Sequence, residues 1–304
     1  ALGLSEGLLA AEDPNDDVIQ MIISLLTDKD RDLRTMGLQQ VREQAKGPAA
    51  TKQFCALLPK LAPESQAELL DALADRGDKA ARPALTQMLG SRQESVRAAA
   101  LRAIAPLGDL NDVPLLVQAL DAQGEAEKTA ARASLTRLQG PAADAAIIAE
   151  LKAAKPQRRA ELLAVLAARG AAQSIPVCLQ AAEDTDPKVR LAAMSALRLL
   201  AGPDQTAALV KLLKAAKDKQ EQSRAEAALS AVCSRGREAC AEAVLAGLAG
   251  ADPPATTALM RVLARAGGGK ALEAIIAATK DNRPAVSSEA VRILAKWPQP
   301  AAIP

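Results

Sequence analysis

The chain has 304 residues, of which 49% are hydrophobic, and its 38 basic and 36 acidic residues give a formal charge of +2. Such a composition supports a large buried core, and it excludes an intrinsically disordered chain and a nucleic-acid-binding protein of high basicity. Aromatic residues make up only 1% of the chain, so the core must be built from Ala, Leu, Val and Ile. Because Ala and Leu are the strongest helix formers, we expect an all-α protein.

The chain is expected to open with a capping segment over residues 1–15, centred on Leu4 to Ala11, followed by a repeat array over residues 16–300. We interpret residues 1–304 as a single α-solenoid domain. No apolar run approaches the roughly 18 residues that a membrane-spanning helix needs. We therefore expect no membrane span.

One sequence pattern returns along the chain at steps of 31 to 34 residues. In its clearest copy, Asp184 to Leu197 (DTDPKVRLAAMSAL), Val189 is taken as position 0 and Arg190 as position +1. The nine residues at position +4 are small or apolar: Gly37, Leu69, Ala100, Ala131, Leu162, Ala193, Ala225, Leu259 and Ala290. The nine residues at position +8 are all apolar: Val41, Leu73, Ile104, Leu135, Leu166, Leu197, Leu229, Leu263 and Leu294. A period of this length is typical of a repeat array in which each unit buries its apolar face against its neighbours.

Each copy of the pattern divides into two helices. The pattern itself predicts the second, longer helix, and a shorter apolar segment precedes it, such as PLLVQAL from Pro114 or IPVCLQAA from Ile175. Turn residues such as Gly140-Pro141 and Gly202-Pro203 separate the helices, as expected where one helix ends at Gly and the next begins near Pro. Nine helix pairs joined by short turns predict a right-handed α-solenoid superhelix.

The repeated pattern resembles a known family. Asp-x-x-Val-Arg, from Asp186 to Arg190, followed by Ala193 at +4 and Leu197 at +8, resembles the HEAT repeat, including the HEAT-like repeats of the bilin-lyase type. The resemblance covers nearly the entire chain and implies an α-solenoid. It does not extend to the iron-dependent hydroxylase built on HEAT-like repeats, because that site resembles paired His-Glu motifs and this chain has no histidine.

Three segments carry a narrower resemblance to the helical repeat region of large modular bacterial proteins. They are LPKLAPESQAELLDALADRGD, AVCSRGREAC and VRILAKWPQP. Some of those proteins also carry a domain similar to 3-keto-disaccharide hydrolases, and others carry a cytochrome c module. Neither domain is in this sequence, so the resemblance implies a non-catalytic accessory region and assigns no activity to any residue here.

Residues suited to catalysis or metal binding are scarce. Without histidine the chain lacks the commonest general base and the commonest transition-metal ligand, and Ser-His-Asp and Cys-His arrangements cannot form. The run Gly267 to Lys270 lacks the GxxxxGK[ST] spacing of a phosphate-binding loop, and we interpret it as a helix stop. We therefore expect no enzyme activity, no cofactor and no metal site.

Four arginines stand at position +1, namely Arg34, Arg97, Arg159 and Arg190. In HEAT-like repeats the matching arginine bonds to Asp or to backbone groups of adjacent turns, which here indicates Asp32 and Asp186 as partners. The alternative is that these four arginines form an exposed anion-binding row.

A second set of arginines is expected on the groove-lining side of the second helices. If positions 0, +4, +8 and +11 face inward, the helical spacing of about 100° per residue turns +2, +5, +6 and +9 outward. Arginines at +6 and +9 are then candidates for binding a partner on the concave face: Arg42, Arg102, Arg198, Arg261 and Arg292. The alternative interpretation is an ordinary solvated face.

The four cysteines fall into two groups. Cys55 and Cys178 stand at apolar positions of first helices and are interpreted as core thiols. Cys233 and Cys240 straddle the turn SRGREA, and six intervening residues allow a disulfide that would staple the turn, although two free thiols fit equally well. A disulfide would imply an oxidising compartment, which slightly favours an extracytoplasmic location over the cytoplasm.

The spacing of the repeats also leads to a prediction about the end of the chain. Val113-Pro114 and Ile175-Pro176 each begin a new repeat, and Ile303-Pro304 stands at the same offset after Leu294. Residues 301–304 therefore read as the start of a tenth repeat, and we expect this chain to be part of a longer protein. Trp297 is interpreted as an apolar side chain at the edge of the ninth repeat that a following helix covers.

These observations favour a non-enzymatic scaffold that presents a concave helical surface to another protein or to a companion domain of the same polypeptide. One alternative is binding of a nucleic-acid backbone through the groove arginines, which the near-neutral charge and the lack of aromatic stacking residues disfavour. Another is an accessory role in a carbohydrate-active modular enzyme. An enzyme relying on carboxylates alone is the least favoured, because no paired acids stand on a groove face at helical spacing.

Overall fold

The computed structural model describes residues 14–297, and within that range it contains eighteen α-helices, six short 3₁₀ segments and no β-strand. The chain divides into two compact units, residues 1–143 and 144–304. The expected capping segment around Leu4 to Ala11 and the expected tenth-repeat start at Ile303-Pro304 lie outside the described residues. None of the helices in the described range is both long and apolar enough to cross a membrane.

The first unit contains α1 to α8. Their bounds are α1 (Pro14–Leu26), α2 (Arg31–Glu43), α3 (Pro48–Cys55), α4 (Pro63–Arg76), α5 (Arg82–Met88), α6 (Glu94–Leu107), α7 (Val113–Ala119) and α8 (Glu125–Arg137). The even-numbered helices are the predicted second helices, and they pack against one another in the order α2, α4, α6, α8. First helices α1, α5 and α7 pack on the second helix of their own repeat. The unit is therefore a stack of helix pairs, as the repeat pattern predicts.

The second unit contains the remaining helices, with α9 starting just before the division. Their bounds are α9 (Pro141–Ala153), α10 (Pro156–Ala168), α11 (Ile175–Ala181), α12 (Pro187–Leu200), α13 (Thr206–Lys214), α14 (Lys219–Gly236), α15 (Ala241–Gly247), α16 (Pro253–Ala266), α17 (Gly269–Ala278) and α18 (Pro284–Leu294). Second helices α10, α12, α14, α16 and α18 pack in sequence, and α11, α13, α15 and α17 each pack on their own second helix. Both units have the all-α solenoid architecture.

Two of the second helices begin at an aspartate that caps the first helical turn, as their sequences predict. Asp186 caps α12, because its carboxylate accepts from the backbone N–H groups of Lys188 and Val189 at 2.8 and 3.4 Å. Pro187 occupies the first helical turn, where its missing N–H costs nothing. Asp218 caps α14 in the same way. The second helices therefore begin at positions that the repeat fixes, which holds their registers in line.

The predicted core columns are confirmed. All nine +4 residues are buried, and eight of the nine +8 residues are 4% exposed or less. Leu294, at +8 of the ninth copy, is half-buried. At +4 of the first copy, a Cβ on Gly37 would lie 2.9 Å from Cβ of Leu25, so glycine lets α1 and α2 approach closely.

Position +5 was expected to face outward, and this expectation is wrong. Six of the nine +5 residues are buried: Leu38, Leu70, Leu101, Leu163, Met194 and Met260. The reason is that a second helix inside a stack has a second helix on each side as well as a first helix behind it. These flanking helices cover +5 in most copies, whereas +6 and +10 are exposed in most copies and +2 and +9 are exposed or half-buried in most.

Candidate functional site

The arginine at position +1 joins its own repeat to the loop before it and to the repeat after it. In the sixth copy Arg190 Nη1 donates to the carbonyls of Asp184, at 2.9 Å, and Thr185, at 2.8 Å. Its Nε donates to Oε1 of Glu221 at 2.8 Å. The two side chains are 8% and 2% exposed. This is a buried ion pair held by charge-assisted hydrogen bonds between consecutive repeats.

Arg97 makes the same connection in the third copy. Its Nη1 donates to the Ser91 carbonyl at 2.7 Å, and its Nε and Nη2 donate to the two Glu127 oxygens at 2.6 and 2.9 Å. These hydrogen bonds outweigh the effect of burial and lower the pKa of Glu127. Glu127 and Glu221 both stand at position 0 of the following repeat. A carboxylate there, one repeat after an arginine, is a signal in the sequence that position-by-position analysis missed.

The other two +1 arginines also bond to adjacent turns. Arg34 Nη1 donates to the carbonyls of Asp28 and Lys29 at 3.1 and 2.9 Å, and Arg159 pairs with the Asp184 carboxylate. The structural ladder predicted for these arginines is therefore present, and they do not form an anion-binding row.

The partners expected for this ladder were wrong. Asp186 caps α12, and Asp32 lies in the first turn of α2, where its own N–H donates to Asp30. Neither aspartate pairs with a +1 arginine within residues 14–297. Asp186 stands at the N-cap, where its carboxylate accepts from the free N–H groups of the first helical turn instead of pairing with Arg190.

In the first unit, both candidate groove arginines form ion pairs between neighbouring second helices. Arg42 Nε lies 2.8 Å from Oδ2 of Asp75, and Arg102 Nη2 lies 2.9 Å from Oδ2 of Asp71. Arg102 and Asp71 occupy position +6 of consecutive repeats. Their charges are therefore partly neutralised by contacts within the solenoid.

In the second unit, Arg261 and Arg292 are paired as well. Arg261 donates through Nε and Nη2 to both oxygens of Glu226, at 2.7 and 2.6 Å, and through Nη1 to Glu289 at 3.2 Å. Arg292 Nη2 bonds Glu289 at 2.6 Å. The hydrogen bonds to Glu226 raise the pKa of Arg261. Burial opposes ionisation of Glu289, but the hydrogen bonds from Arg292 and Arg261 prevail and lower the pKa of that carboxyl.

Arg198 differs from the other four candidates. It is exposed, and no carboxylate in the described part of the chain pairs with it. It lines an open cleft of about 430 Å³ together with Arg265 and the exposed face of α14. Arg265, at position +10, is also exposed and has no carboxylate partner among the described residues. Sequence reasoning missed Arg265 because it considered only positions up to +9 as outward.

Two further arginines complete the ends of second helices. Arg76, in the last turn of α4, donates to the carbonyls of Val41, Gln44 and Ala45 at the end of α2. Arg235 in α14 donates to the carbonyl of Ala201, which follows α12, at 2.7 Å. The last carbonyls of a helix have no partner within it. Here an arginine of the following repeat supplies one.

All four cysteines are free thiols in the structure. Cys178 is buried, as expected for a core thiol, whereas Cys55 is only half-buried. Burial raises the pKa of Cys178, and burial together with the Asp78 charge raises the pKa of Cys55 to about 11.

The thiols of Cys233 and Cys240 are buried and lie next to each other. Thr206 Oγ1 donates to Sγ of Cys240 at 3.3 Å. Burial, and then a hydrogen bond with the Cys240 thiol, raise the pKa of Cys233. The two sulfurs are not bonded to each other in the structure. A disulfide between them under oxidising conditions stays a prediction.

Trp297 lies at the edge of a different cleft, of about 550 Å³, and its side chain is half-exposed. Arg237 and the Gly267-Gly268 turn line the same cleft. Gly267 and Gly268 have φ values of 74° and 90° and end α16 before α17 begins. The interpretation of this glycine run as a helix stop is confirmed. In the described range no cluster of three or more Cys, Asp or Glu side chains is arranged to hold a metal ion.

Comparisons with known proteins agree with this architecture. A family model described as HEAT repeats matches residues 51–136 and 145–230. No curated protein sequence matches the chain. Among solved structures, the karyopherin Kap121p bound to the extreme C-terminus of the protein phosphatase Cdc14p is similar, with a TM-score of 0.54 and 16% identity over 96% of this chain. The chain spans only 38% of the length of that karyopherin.

Two further structures align over almost the whole chain with lower scores. Human deoxyhypusine hydroxylase gives a TM-score of 0.37 and 18% identity over 93% of this chain and 96% of its own. The CpcE–CpcF complex of phycocyanin lyase from Nostoc sp. PCC7120 gives 0.32 and 22% identity over 97% of each chain. The karyopherin similarity shows the fold alone, and these two carry no argument about function.

Proposed function

The chain belongs to the HEAT-repeat family, and from that premise we propose that it is a non-enzymatic interaction scaffold. The exposed faces of its second helices bind another protein or a companion domain of the same polypeptide. One observation carries the proposal: these faces carry many small side chains together with a few arginines, most of which are held by ion pairs.

Small residues dominate the outward positions of both units. Alanines at +6 and +9 that are exposed or half-buried are Ala74, Ala105, Ala133, Ala164, Ala227, Ala264 and Ala295. Small side chains leave the helix backbone near the surface, so a partner can approach closely. Ion pairs such as Arg102–Asp71 fix the longer side chains in place before binding. A surface ordered in advance loses less conformational entropy when it binds.

The same ion pairs argue against nucleic acid as the main partner. Four of the five candidate arginines already contact carboxylates of the solenoid: Arg42, Arg102, Arg261 and Arg292. A phosphate backbone would have to compete with these carboxylates for each guanidinium. Binding to a nucleic-acid backbone depends on unpaired basic groups that neutralise phosphates and so release the counterions bound to the nucleic acid.

The karyopherin comparison supports a peptide or protein partner. That protein is bound to the extreme C-terminus of a phosphatase in the solved structure, so a fold of this kind holds a segment of another chain there. The similarity concerns the fold, and the partner proposed for this chain is a class of molecule rather than a named protein.

Site-specific photo-cross-linking in the native host tests the proposal. A photoreactive residue at Ala133 in α8 or Ala227 in α14 places the probe on an exposed second-helix face. The same residue at Ala207 in α13 or Ala246 in α15 is the matched control on an exposed position of a first helix. We expect protein adducts from the second-helix positions and none from the controls. Adducts from the controls alone, or adducts with nucleic acid, would contradict the scaffold proposal.

A further inference from the structure

The second unit contains one part of the second-helix surface with unpaired positive charge. We call it the basic cleft and define it by Arg198 of α12, by Ser223, Ser230 and Ser234 of α14, and by Arg265 of α16. Helix α14 packs against both α12 and α16. The serines therefore form the floor, and an arginine stands on each side.

The basic cleft carries a net positive charge, because the one carboxylate that lines it is paired with an arginine other than Arg198 and Arg265. Glu226 lines the cleft, but both of its oxygens accept hydrogen bonds from Arg261. Arg198 and Arg265 have no carboxylate partner among residues 14–297. Arg235 adds a further positive charge at the base of Arg198, because its guanidinium bonds the Arg198 carbonyl at 3.3 Å. Two free guanidinium groups thus face the same open space.

The floor of the basic cleft supplies unused hydrogen-bond donors. A serine within a helix often donates to the carbonyl four residues earlier, as Ser195 does to Leu191 at 2.9 Å. In the described part of the chain no acceptor pairs with the hydroxyls of Ser223, Ser230 or Ser234. Hydroxyl donors between two guanidinium groups suit a ligand that is rich in acceptors.

The dimensions of the basic cleft suit a short extended segment. Ser223 and Ser234 are eleven residues apart on α14, which is about 16 Å at the helical rise of 1.5 Å per residue. Packed helices are about 8–10 Å apart, so α12 and α16 are separated by roughly twice that distance. An extended chain covers about 3.3 Å per residue, and a handful of residues therefore crosses the cleft.

From these observations we propose that the basic cleft binds an extended acidic peptide segment of a partner protein, with its carboxylates paired to Arg198 and Arg265 and its polar atoms bonded to the α14 serines. The proposal rests on the scaffold function and names the chemistry of the partner. A peptide fits better than a nucleic acid, because only two arginines are free and no aromatic side chain lines the cleft for base stacking.

Fluorescence anisotropy with the full chain tests this proposal. The probe is a fluorescein-labelled peptide in which glutamates alternate with serines, and its matched partner has glutamine in place of every glutamate. We expect the glutamate peptide to bind, the glutamine peptide to bind about tenfold more weakly or worse, and the affinity to fall as salt rises.

The decisive variant is Arg198→Glu/Arg265→Glu, which turns two attractions into repulsions. We expect the affinity for the glutamate peptide to fall by about tenfold or more. The control, Arg92→Glu, makes the same kind of charge change at an exposed loop residue of the first unit. We expect it to change the affinity by less than about twofold, with circular dichroism showing that all variants fold.

The outcomes separate this proposal from the scaffold function. Equal loss of affinity in Arg92→Glu, or no binding of the glutamate peptide at all, overturns the acidic-segment proposal. Duplex DNA that binds more tightly than the peptide, and is lost in the double variant, also overturns it in favour of nucleic acid. If the peptide fails while cross-linking from Ala227 still captures a protein, the scaffold stands and only the chemistry assigned to its partner is wrong.

Discussion

At the scale of single residues, buried charge pairs decide how much each repeat depends on the next. The Arg190–Glu221 pair is almost fully buried, and removing one member of such a pair leaves an uncompensated charge out of water. We expect Glu221→Gln to lower the free energy of unfolding by about 3–5 kcal/mol in urea titrations. The control Glu125→Gln, whose side chain is 84% exposed and pairs with Lys128, should cost less than about 1 kcal/mol. Equal costs would contradict the buried ladder.

The lowered pKa of the same carboxylate, that of Glu221, predicts how the free energy of unfolding changes in acid. Burial alone would raise the pKa of Glu221, but hydrogen bonds from Arg190 and the Lys217 N–H lower it below its usual value of 4.5. The folded protein therefore keeps this carboxylate ionised at a pH where the unfolded chain binds a proton. Its contribution is complete above about pH 4.5 and is lost as the pH falls through the lower folded-state value. Urea midpoints measured from pH 7 to pH 3 should fall less steeply for Glu221→Gln than for the unaltered protein.

The cysteine pair gives a redox prediction at the same scale. Because the pKa of Cys233 is raised, little thiolate forms near neutral pH and the folded protein should oxidise slowly. We expect Cys233 and Cys240 to be bonded in protein isolated from an oxidising compartment, as shown by intact mass after alkylation with and without reduction. Alkylation of four cysteines in unfolded, unreduced protein would contradict the bond.

At the scale of helices, the +8 column carries the packing. Leu197 in α12 is fully buried, and replacing it with Ala should cost about 2–5 kcal/mol in urea unfolding, as for large-to-small core changes in general. Leu199, two residues further along the same helix, is 58% exposed. Leu199→Ala is therefore the matched control and should change stability by less than about 0.5 kcal/mol. Similar costs for both variants would show that the register is wrong.

The sequence was sufficient to predict the features that recur in every repeat. Periodicity placed Leu73, Leu166 and Leu263 in the core because position +8 is apolar in all nine copies, and these three side chains are buried. It misplaced position +5, since burial there depends on the two flanking second helices. Pairs such as Arg261 with Glu226 join residues 35 apart, and recognising them required a search for opposite charges about one repeat away. The basic cleft could not be predicted from the pattern of a single repeat, because its residues come from three consecutive repeats.

At the scale of the whole molecule, stability is a sum of repeat and nearest-neighbour terms. A defect in one helix pair should therefore weaken its neighbours most. We expect Leu197→Ala to speed amide hydrogen exchange in α10, α12 and α14, while exchange in α4 and α6 of the first unit stays unchanged. A uniform increase across all helices would mean that the chain unfolds as one cooperative block.

The arginines that complete the preceding helix also set an order of assembly. The carbonyl of Ala201 receives its hydrogen bond from Arg235, which is 34 residues later in the chain, and Arg190 meets Glu221 only after a similar delay. During translation, α12 is synthesised before either partner, so neither contact can form until the next repeat has also emerged from the ribosome. Each repeat is thus expected to complete its folding only after the next repeat has been synthesised and has supplied these contacts. A recombinant protein with one repeat exchanged would need the matching part of its successor as well.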